Sequence, residues 1–180
     1  MAVRLKVFIT SLALMLILAG SYVFYTVDQG NFHAITEGEA YRSAQLDRDE
    51  LEYYVRRYNI RSILNLRGKN PHSDWYREEL KASAANQTKH YDIALSSTKE
   101  PTENDVKQLM EIFREAPRPI LIHCQAGADR SGLVAAMWRV IVDQESKPEA
   151  EKQLSIFYGH VPLGGTYAMD KFFKKWQPSH

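Results

Sequence analysis

The chain has 180 residues, a length that suits one folded domain with a short appendage. Residues 1–27 contain Arg4 and Lys6 and no acidic residue, which leaves 21 basic and 22 acidic residues in the rest of the chain. A domain so close to neutral lacks the basic face that nucleic-acid binding requires, and no nucleic-acid partner is expected. The single cysteine allows no disulfide within the chain.

The first predicted element is a membrane anchor. Residues 7–25 carry no charge, and a run of this length is sufficient for a helix that crosses the hydrocarbon core of a bilayer. Basic residues on the short N-terminal side indicate that this end stays in the cytoplasm and that the domain faces outward. A cleaved signal peptide is the alternative, although the apolar run is long for one. We therefore predict an anchor over residues 1–27 and a domain over residues 28–180.

Predicted strands and helices alternate over the rest of the chain. Residues 28–36 are interpreted as a linker, and apolar alternation predicts strands near residues 40–43, 60–66 and 90–95. Helical spacing of apolar residues predicts helices at 47–58, 73–85, from 102, at 131–143, from 146, and at 167–176. This order predicts an α/β sandwich with a mostly parallel central sheet flanked by helices.

The last predicted helix carries an apolar stripe formed by Phe172, Phe173 and Trp176. Such a stripe is typical of a terminal helix that packs on the core. Binding to a membrane surface is the alternative, because lysines flank the stripe.

The most informative segment is His-Cys-Gln-Ala-Gly-Ala-Asp-Arg-Ser-Gly at residues 123–132. Apolar runs at 120–122 and 133–138 flank it, a pattern that predicts a buried strand, a tight loop and a helix. The loop would then lie at a helix N-terminus, where backbone N–H groups and the helix dipole favour anions and lower the pKa of a cysteine. We infer a site for phosphate chemistry.

The residue types in this loop suit an attack on phosphorus. Cys124 would supply the thiolate, and the planar guanidinium of Arg130 would clamp two phosphate oxygens. Gly127 allows the backbone to approach the anion closely, and Ser131 is placed to donate a hydrogen bond to the sulfur. His123 is expected to support the loop. The expected phosphate-binding residues are Gln125, Ala126, Gly127, Ala128 and Ser131.

The segment resembles the signature loop of the cysteine-dependent protein tyrosine and dual-specificity phosphatases, which is His-Cys, five residues, Arg, then Ser or Thr. With an aspartate before the arginine, it is most similar to bacterial tyrosine phosphatases and also to the myotubularins. Residues 41–46 and 60–67 are similar to the N-terminal half of the bacterial enzymes. The resemblance implies a protein tyrosine phosphatase-like fold and hydrolysis of phosphomonoesters through a phosphocysteine intermediate.

The resemblance leaves the substrate open. Phosphotyrosine or dual-specificity protein substrates are one class, and inositol phosphates or phospholipids are the other, because the sequence does not give the depth of the pocket. A phosphate-binding module without activity is a further alternative, which the presence of Cys124, Arg130 and Ser131 disfavours. No cofactor is implied, and the other histidines show no zinc-ligand spacing. A domain held by residues 1–27 would face the periplasm.

The sequence offers more than one candidate for the general acid. In most of these phosphatases an aspartate on a movable loop protonates the leaving group, but residues 96–101 contain no aspartate. Asp129 is the main candidate, and its alternative role is to pair with a nearby base and shape the loop. Asp92 and then Glu100 are the other candidates. Arg42 and Arg67 lie near strand ends, where a surface ion pair is the common role and substrate contact is the alternative.

Overall fold

The computed structural model describes residues 2–178, except for the side chains of residues 2–3, 16, 18–19 and 21–28. The first helix, α1 (Ala2–Asp28), includes the uncharged run of residues 7–25. Within the described part of the chain, no helix is long and apolar enough to cross a membrane. Part of the predicted span falls on side chains outside that description, and the anchor stays a prediction together with its signal-peptide alternative.

A five-stranded sheet forms the centre of the domain. Its strands are β1 (His33–Thr36), β2 (Ala40–Ser43), β3 (Ser62–Asn65), β4 (Lys89–Asp92) and β5 (Ile120–His123). The order across the sheet is β1-β2-β5-β3-β4. Strands β2, β5, β3 and β4 are parallel, and β1 pairs antiparallel with β2 at the edge. The predicted α/β fold with a mostly parallel sheet is confirmed.

The linker predicted at residues 28–36 is wrong, because its second half forms β1. The sequence of this strand, His-Ala-Ile-Thr, lacks the apolar alternation that predicts a strand. In the structure only Ile35 is buried. The strand forms through backbone pairing with β2, where His33 lies opposite Arg42. Tertiary pairing thus decides a conformation that the local sequence does not indicate.

Helices cover both faces of the sheet. They are α2 (Arg48–Tyr58), α3 (Asp74–Ala85), α4 (Glu103–Glu115), α5 (Asp129–Ile141), α6 (Lys147–Ala150) and α7 (Tyr167–Lys175). Between α6 and α7, residues 151–166 include three short 3₁₀ turns, Glu151–Gln153, Ile156–Tyr158 and Gly164–Thr166. We call residues 151–166 the 3₁₀ segment.

Alternate residues of the central strand face two separate cores. Ile120 and Ile122 belong to the larger cluster, which also contains residues of α4, α5 and α7. Leu121 belongs to the smaller cluster, which contains residues of α2 and α3. Because β5 is buried on both faces and lies between two parallel neighbours, its carboxyl end is held firmly at the middle of the sheet.

The helix ends largely follow the local sequence. Thr102 and Asp105 form a capping box at the start of α4, which begins close to the position predicted from the sequence. Asp47 and Glu50 form another at the start of α2, which ends at Asn59 in the left-handed conformation. Ser73 precedes α3 as expected, but its side chain makes no capping hydrogen bond.

The apolar stripe of α7 packs on the core. Phe172, Phe173 and Trp176 are buried and belong to the larger cluster. Core packing is therefore confirmed for this stripe, and its alternative as a membrane-binding surface is wrong. The packing also fixes the position of Asp170, which lies on the same helix and is buried.

Candidate active site

The loop between β5 and α5 lies around the sulfur of Cys124, and we call residues 124–130 the cradle. Four consecutive carbonyl groups of the loop, at residues 125–128, are held by donors outside it. The donors are Gln45 N to Gln125 O (3.1 Å), Asn31 Nδ2 to Ala126 O (3.0 Å), and Arg42 Nη2 to Gly127 O (2.9 Å) and Ala128 O (3.0 Å). Because the C=O and N–H of one peptide unit point in opposite directions, these bonds turn the following N–H groups inward.

Arg42 is a structural support of this cradle. It is completely buried, and its Nη1 donates to the backbone oxygen (2.7 Å) and side-chain oxygen (3.0 Å) of Gln153. Its guanidinium also packs over the ring of Tyr158, 4.4 Å from the ring centre. Burial lowers the pKa of Arg42 to about 10. The surface ion pair expected for Arg42 is wrong, because the strand that carries it is an inner strand of the sheet.

Gly127 is required by both its conformation and its surroundings. Its φ is +69°, in the left-handed region that side-chain-bearing residues rarely adopt. A Cβ at this position would lie 2.6 Å from the backbone nitrogen of Ala44 and 2.9 Å from Nδ2 of Asn31. At Gly127 the backbone of the loop therefore lies close to the end of β2 and to Asn31, in addition to the close approach to an anion that the sequence predicts.

Cys124 lies at the base of the cradle and is only 2% exposed. Its Sγ lies 3.4 Å from Oγ of Ser131 in the first turn of α5. Burial alone would raise the pKa of the Cys124 thiol. Hydrogen bonds from Ser131 and Gly127 and the charge of Arg130 outweigh burial, so that the pKa is lower than that of an ordinary cysteine.

Arg130 is held at the edge of the cradle by the ends of two neighbouring segments. Its Nη1 lies 3.4 Å from the carbonyl oxygens of Leu66 and Leu95. Its Nε is buried and has no hydrogen-bond partner among the described residues. No described carboxylate forms an ion pair with Arg130, which leaves this guanidinium available to an anion in the cradle.

His123 supports the loop through a buried carboxylate that the sequence does not reveal. Its Nε2 lies 3.2 Å from Oε1 of Glu79, which also lies 2.7 Å from Nε2 of His90. Gln45 Nε2 donates to the other oxygen of Glu79 at 2.6 Å. Burial would raise the pKa of Glu79, but these partners lower it well below its ordinary value. Glu79 therefore links β4, β5 and the segment after β2 beneath the cradle.

Asp129, the main candidate for the general acid, is hydrogen-bonded to His160, which the sequence does not indicate as part of the site. Asp129 Oδ1 lies 2.7 Å from Nδ1 of His160, and Nε2 of His160 lies 3.0 Å from Oδ2 of Asp170. The side chain of His160 is 0% exposed, whereas that of Asp129 is 21% exposed. Neither His160 nor Asp170 lies in a recognisable motif. The 3₁₀ segment brings His160 to the site, and α7, which packs on α5, brings Asp170.

The other two candidate acids have partners that favour structural roles. Asp92 accepts hydrogen bonds from Asn65 Nδ2 (2.9 Å) and Tyr76 Oη (2.8 Å), one at each carboxylate oxygen. Glu100 forms ion pairs with Lys171 and Lys175 of α7.

A family model described as "DSP-PTPase phosphatase fused to NAD+ Kinase" matches residues 23–166, which include the cradle. The chain belongs to this family. It is a cysteine-dependent phosphatase of the protein tyrosine phosphatase type, and the expected hydrolysis of phosphomonoesters is confirmed at this level. No curated protein matches the phosphatase in sequence.

Solved structures share the fold of this phosphatase. TpbA from P. aeruginosa is 18% identical, with a TM-score of 0.63 over 82% of this chain and 85% of its own. The core catalytic domain of the PP-IP phosphatase SIW14 from S. cerevisiae is 24% identical, with a TM-score of 0.65 over 82% and 85% of the two chains. PTPMT1 is 17% identical, with a TM-score of 0.56 over 80% and 94%. The fold predicted from the signature loop is thus confirmed.

Proposed function

We propose that this phosphatase transfers the phosphoryl group of a monoester to Cys124 and then to water. The observation that carries the proposal is the cradle of residues 124–130, whose carbonyls at residues 125–128 are all held on the outside. The N–H groups of the loop then surround a buried sulfur whose thiol pKa is lowered. Such fixed donors stabilise the charge that the transferring phosphoryl group carries.

In the first step, the thiolate of Cys124 attacks phosphorus and the bond from phosphorus to the leaving oxygen breaks. The leaving oxygen takes a proton from the carboxyl group of Asp129. Arg130 binds two of the nonbridging oxygens, which its planar guanidinium suits better than a point charge would. The products of this step are an alcohol or phenol and a phosphocysteine.

In the second step, water attacks the phosphorus of the phosphocysteine. The carboxylate of Asp129 accepts a proton from this water, the bond between phosphorus and sulfur breaks, and phosphate is released. The Cys124 sulfur leaves as a thiolate, which the hydroxyl of Ser131 stabilises from 3.4 Å. The proton that Asp129 gives to the leaving oxygen in the first step is replaced in the second step by a proton from the attacking water, so Asp129 and Cys124 return to their starting states.

Phosphorylated proteins, with phosphotyrosine or dual-specificity substrates, are the first substrate class that we propose. A relative of 17% identity, P. aeruginosa TpbA with a C-to-S substitution, was solved in complex with pTyr. The second class, inositol phosphates or phospholipids, is favoured by a specific residue, Arg67.

Arg67 offers a second positive charge at the edge of the cradle. Its guanidinium packs 3.6 Å from the ring centre of Trp75, and its Nη1 donates to Oε1 of Gln45 at 3.0 Å. It pairs with no carboxylate in the described part of the chain, and burial together with nearby Arg130 lowers its pKa. A substrate with a further phosphate would relieve this repulsion. Arg67→Gln should then lower kcat/KM for an inositol bisphosphate and leave that for a phosphotyrosine peptide unchanged.

We also propose that the uncharged residues 7–25 keep the phosphatase at a membrane with its domain in the periplasm. The length of the run and the preceding Arg4 and Lys6 support this proposal. Membrane fractionation and protease accessibility of the domain test it. A soluble mature protein that begins within the run would establish a signal peptide instead.

Trapping the intermediate tests the proposed chemistry. Wild-type enzyme mixed with a radiolabelled phosphomonoester and quenched in acid should carry label on Cys124, which peptide mapping locates. Cys124→Ser should carry none and should release no phosphate. Label on another residue, or turnover by Cys124→Ser, would show that Cys124 is not the nucleophile.

A further inference from the structure

The 3₁₀ segment carries a buried histidine, His160, that the two reaction steps above do not use. His160 is completely buried, and each of its two ring nitrogens faces a carboxylate. Its Nδ1 lies 2.7 Å from Asp129 Oδ1, and its Nε2 lies 3.0 Å from Asp170 Oδ2. A ring with an acceptor at both nitrogens donates from both only as the imidazolium.

The two carboxylates account for the charge state of His160. Burial alone would lower the pKa of His160, but the hydrogen bonds and charges of Asp129 and Asp170 raise it above its ordinary value of 6.5. These two groups, one from α5 and one from α7, are the charged residues that face the ring.

The bridge formed by Asp129, His160 and Asp170 is held at both ends by helices. Asp170 belongs to α7, where its neighbours Met169, Phe172 and Phe173 are buried in the core. Asp129 is the first residue of α5 and precedes the phosphate clamp Arg130. The ring of His160 therefore bridges two rigid helices, and the rotamer of Asp129 is set by the core.

Only one carboxylate oxygen of Asp129 is engaged by this bridge. Within the described residues, Oδ2 of Asp129 forms no hydrogen bond, and the side chain is partly exposed. The carboxylate thus has one oxygen fixed by the protein and one that faces away from His160. This is the arrangement that a residue needs if it is to give a proton to a bound leaving group.

The segment that carries His160 also packs against the loop at residues 96–101. A Cβ on Gly165 would lie 2.7 Å from Cγ2 of Thr98. Glu100 of the same loop is tied to Lys171 and Lys175 of α7. The loop and the 3₁₀ segment are therefore in contact.

We propose that His160 is the positioning residue of the general acid: it holds Asp129 by one oxygen so that the other is directed at the leaving group. Asp170 orients the imidazole ring. This inference rests on the proposed role of Asp129 in the reaction. The competing explanation is a structural bridge that merely attaches the 3₁₀ segment to α5.

Two substitutions of His160 separate these explanations, because their amides reach different ring positions. The amide of asparagine occupies approximately the position of Nδ1 and retains a donor to Asp129. The amide of glutamine approaches the position of Nε2, which retains Asp170 but withdraws the donor from Asp129. A bridge that is merely structural gives no reason for these variants to differ in their dependence on the leaving group.

The experiment compares kcat/KM for phenyl phosphate, whose leaving group needs a proton, with that for a nitrophenyl phosphate, which leaves unaided. We expect H160Q to slow phenyl phosphate by about 10²-fold, since a small misplacement of a reacting group has this cost. Nitrophenyl phosphate should be slowed less than about threefold, which also shows that the variant is folded. H160N should restore most of the activity towards phenyl phosphate. Equal slowing of both substrates by H160Q would overturn the proposal.

A double-mutant cycle tests whether His160 acts through Asp129. The double variant D129N/H160Q should hydrolyse phenyl phosphate as slowly as D129N alone, because the residue being positioned is already lost. Multiplicative effects would contradict the proposal. D92N serves as the matched control and should show no difference between the two substrates. If D129N itself slows both substrates equally, the acid and this inference both fail, while labelling of Cys124 still reports on the phosphocysteine step.

Discussion

The sulfur of Cys124 lies 3.4 Å from the hydroxyl oxygen of Ser131, which lies in the first turn of α5. The hydroxyl is completely buried with the sulfur, and its hydrogen bond is one of the causes that lower the pKa of the thiol. The same contact would stabilise the thiolate as a leaving group in the second step. Ser131 thereby connects the activation of the nucleophile to its release.

Removal of this hydroxyl should slow the second step more than the first. Ser131→Ala is expected to slow hydrolysis of the phosphocysteine by about tenfold to a hundredfold, the effect of a hydrogen bond of about 1.5–3 kcal/mol to a charged group. Label on Cys124 should then accumulate in rapid-quench experiments, and alkylation of the thiol should require a higher pH. Ser131→Thr retains the hydroxyl and serves as the control. A burst no larger than that of the wild type would contradict this role.

The guanidinium of Arg130 should not be replaceable by an ammonium group. Arg130→Lys keeps the charge and loses the planar pair of donors, so kcat/KM for a nitrophenyl phosphate should fall by more than about 10²-fold. Vanadate binding to Cys124→Ser measures the cradle without turnover and should persist, because most of its donors are backbone N–H groups. An effect of Arg130→Lys below about tenfold, or 1.4 kcal/mol, would mean that Arg130 does not clamp the phosphate.

Arg42 should affect both stability and anion binding. Arg42→Met retains the length of the side chain but leaves the buried carbonyls of Gly127 and Ala128 without this donor. Ala128 O keeps the N–H of Gly132 as a donor, whereas Gly127 O becomes a buried acceptor without a partner, so the free energy of unfolding should fall by about 1–3 kcal/mol. Vanadate affinity should fall as well, since the cradle loses its outer support. Arg57→Met, at an exposed position of α2, should change stability by less than about 0.5 kcal/mol.

His160 should give the phosphatase a stability that declines at high pH. Since its pKa is raised in the folded protein, its contribution is complete below 6.5, the ordinary value, and is lost as the pH rises through the raised value. Urea unfolding of the wild type and of His160→Gln at pH values from about 6 upward tests the sign. The difference in free energy of unfolding between them should be larger at the lower pH. A difference that grows with pH would show that His160 is not a buried cation.

The chemistry of the cradle is readable from one contiguous stretch of sequence. The proposed nucleophile, the proposed phosphate clamp and the helix N-terminus all lie within residues 123–132, and a strand followed by a tight loop and a helix fixes their relation locally. The alternation of predicted strands and helices likewise indicates the α/β fold, because apolar periodicity depends only on neighbouring residues. The strand β1 is missed for the same reason, since pairing with β2 decides it.

The supports of the cradle were decided only by tertiary structure. Asn31 and Arg42 precede the loop by more than 80 residues, and the sheet order β1-β2-β5 brings them to its outer side. His160 lies 31 residues beyond Asp129 and reaches it because the 3₁₀ segment folds back onto α5. The sequence around an isolated histidine or arginine contains no periodic pattern that indicates its partner. The sequence by itself indicated which groups we propose to react, whereas the packing of distant segments determined how those groups are held, because contacts between distant residues depend on the topology of the whole sheet.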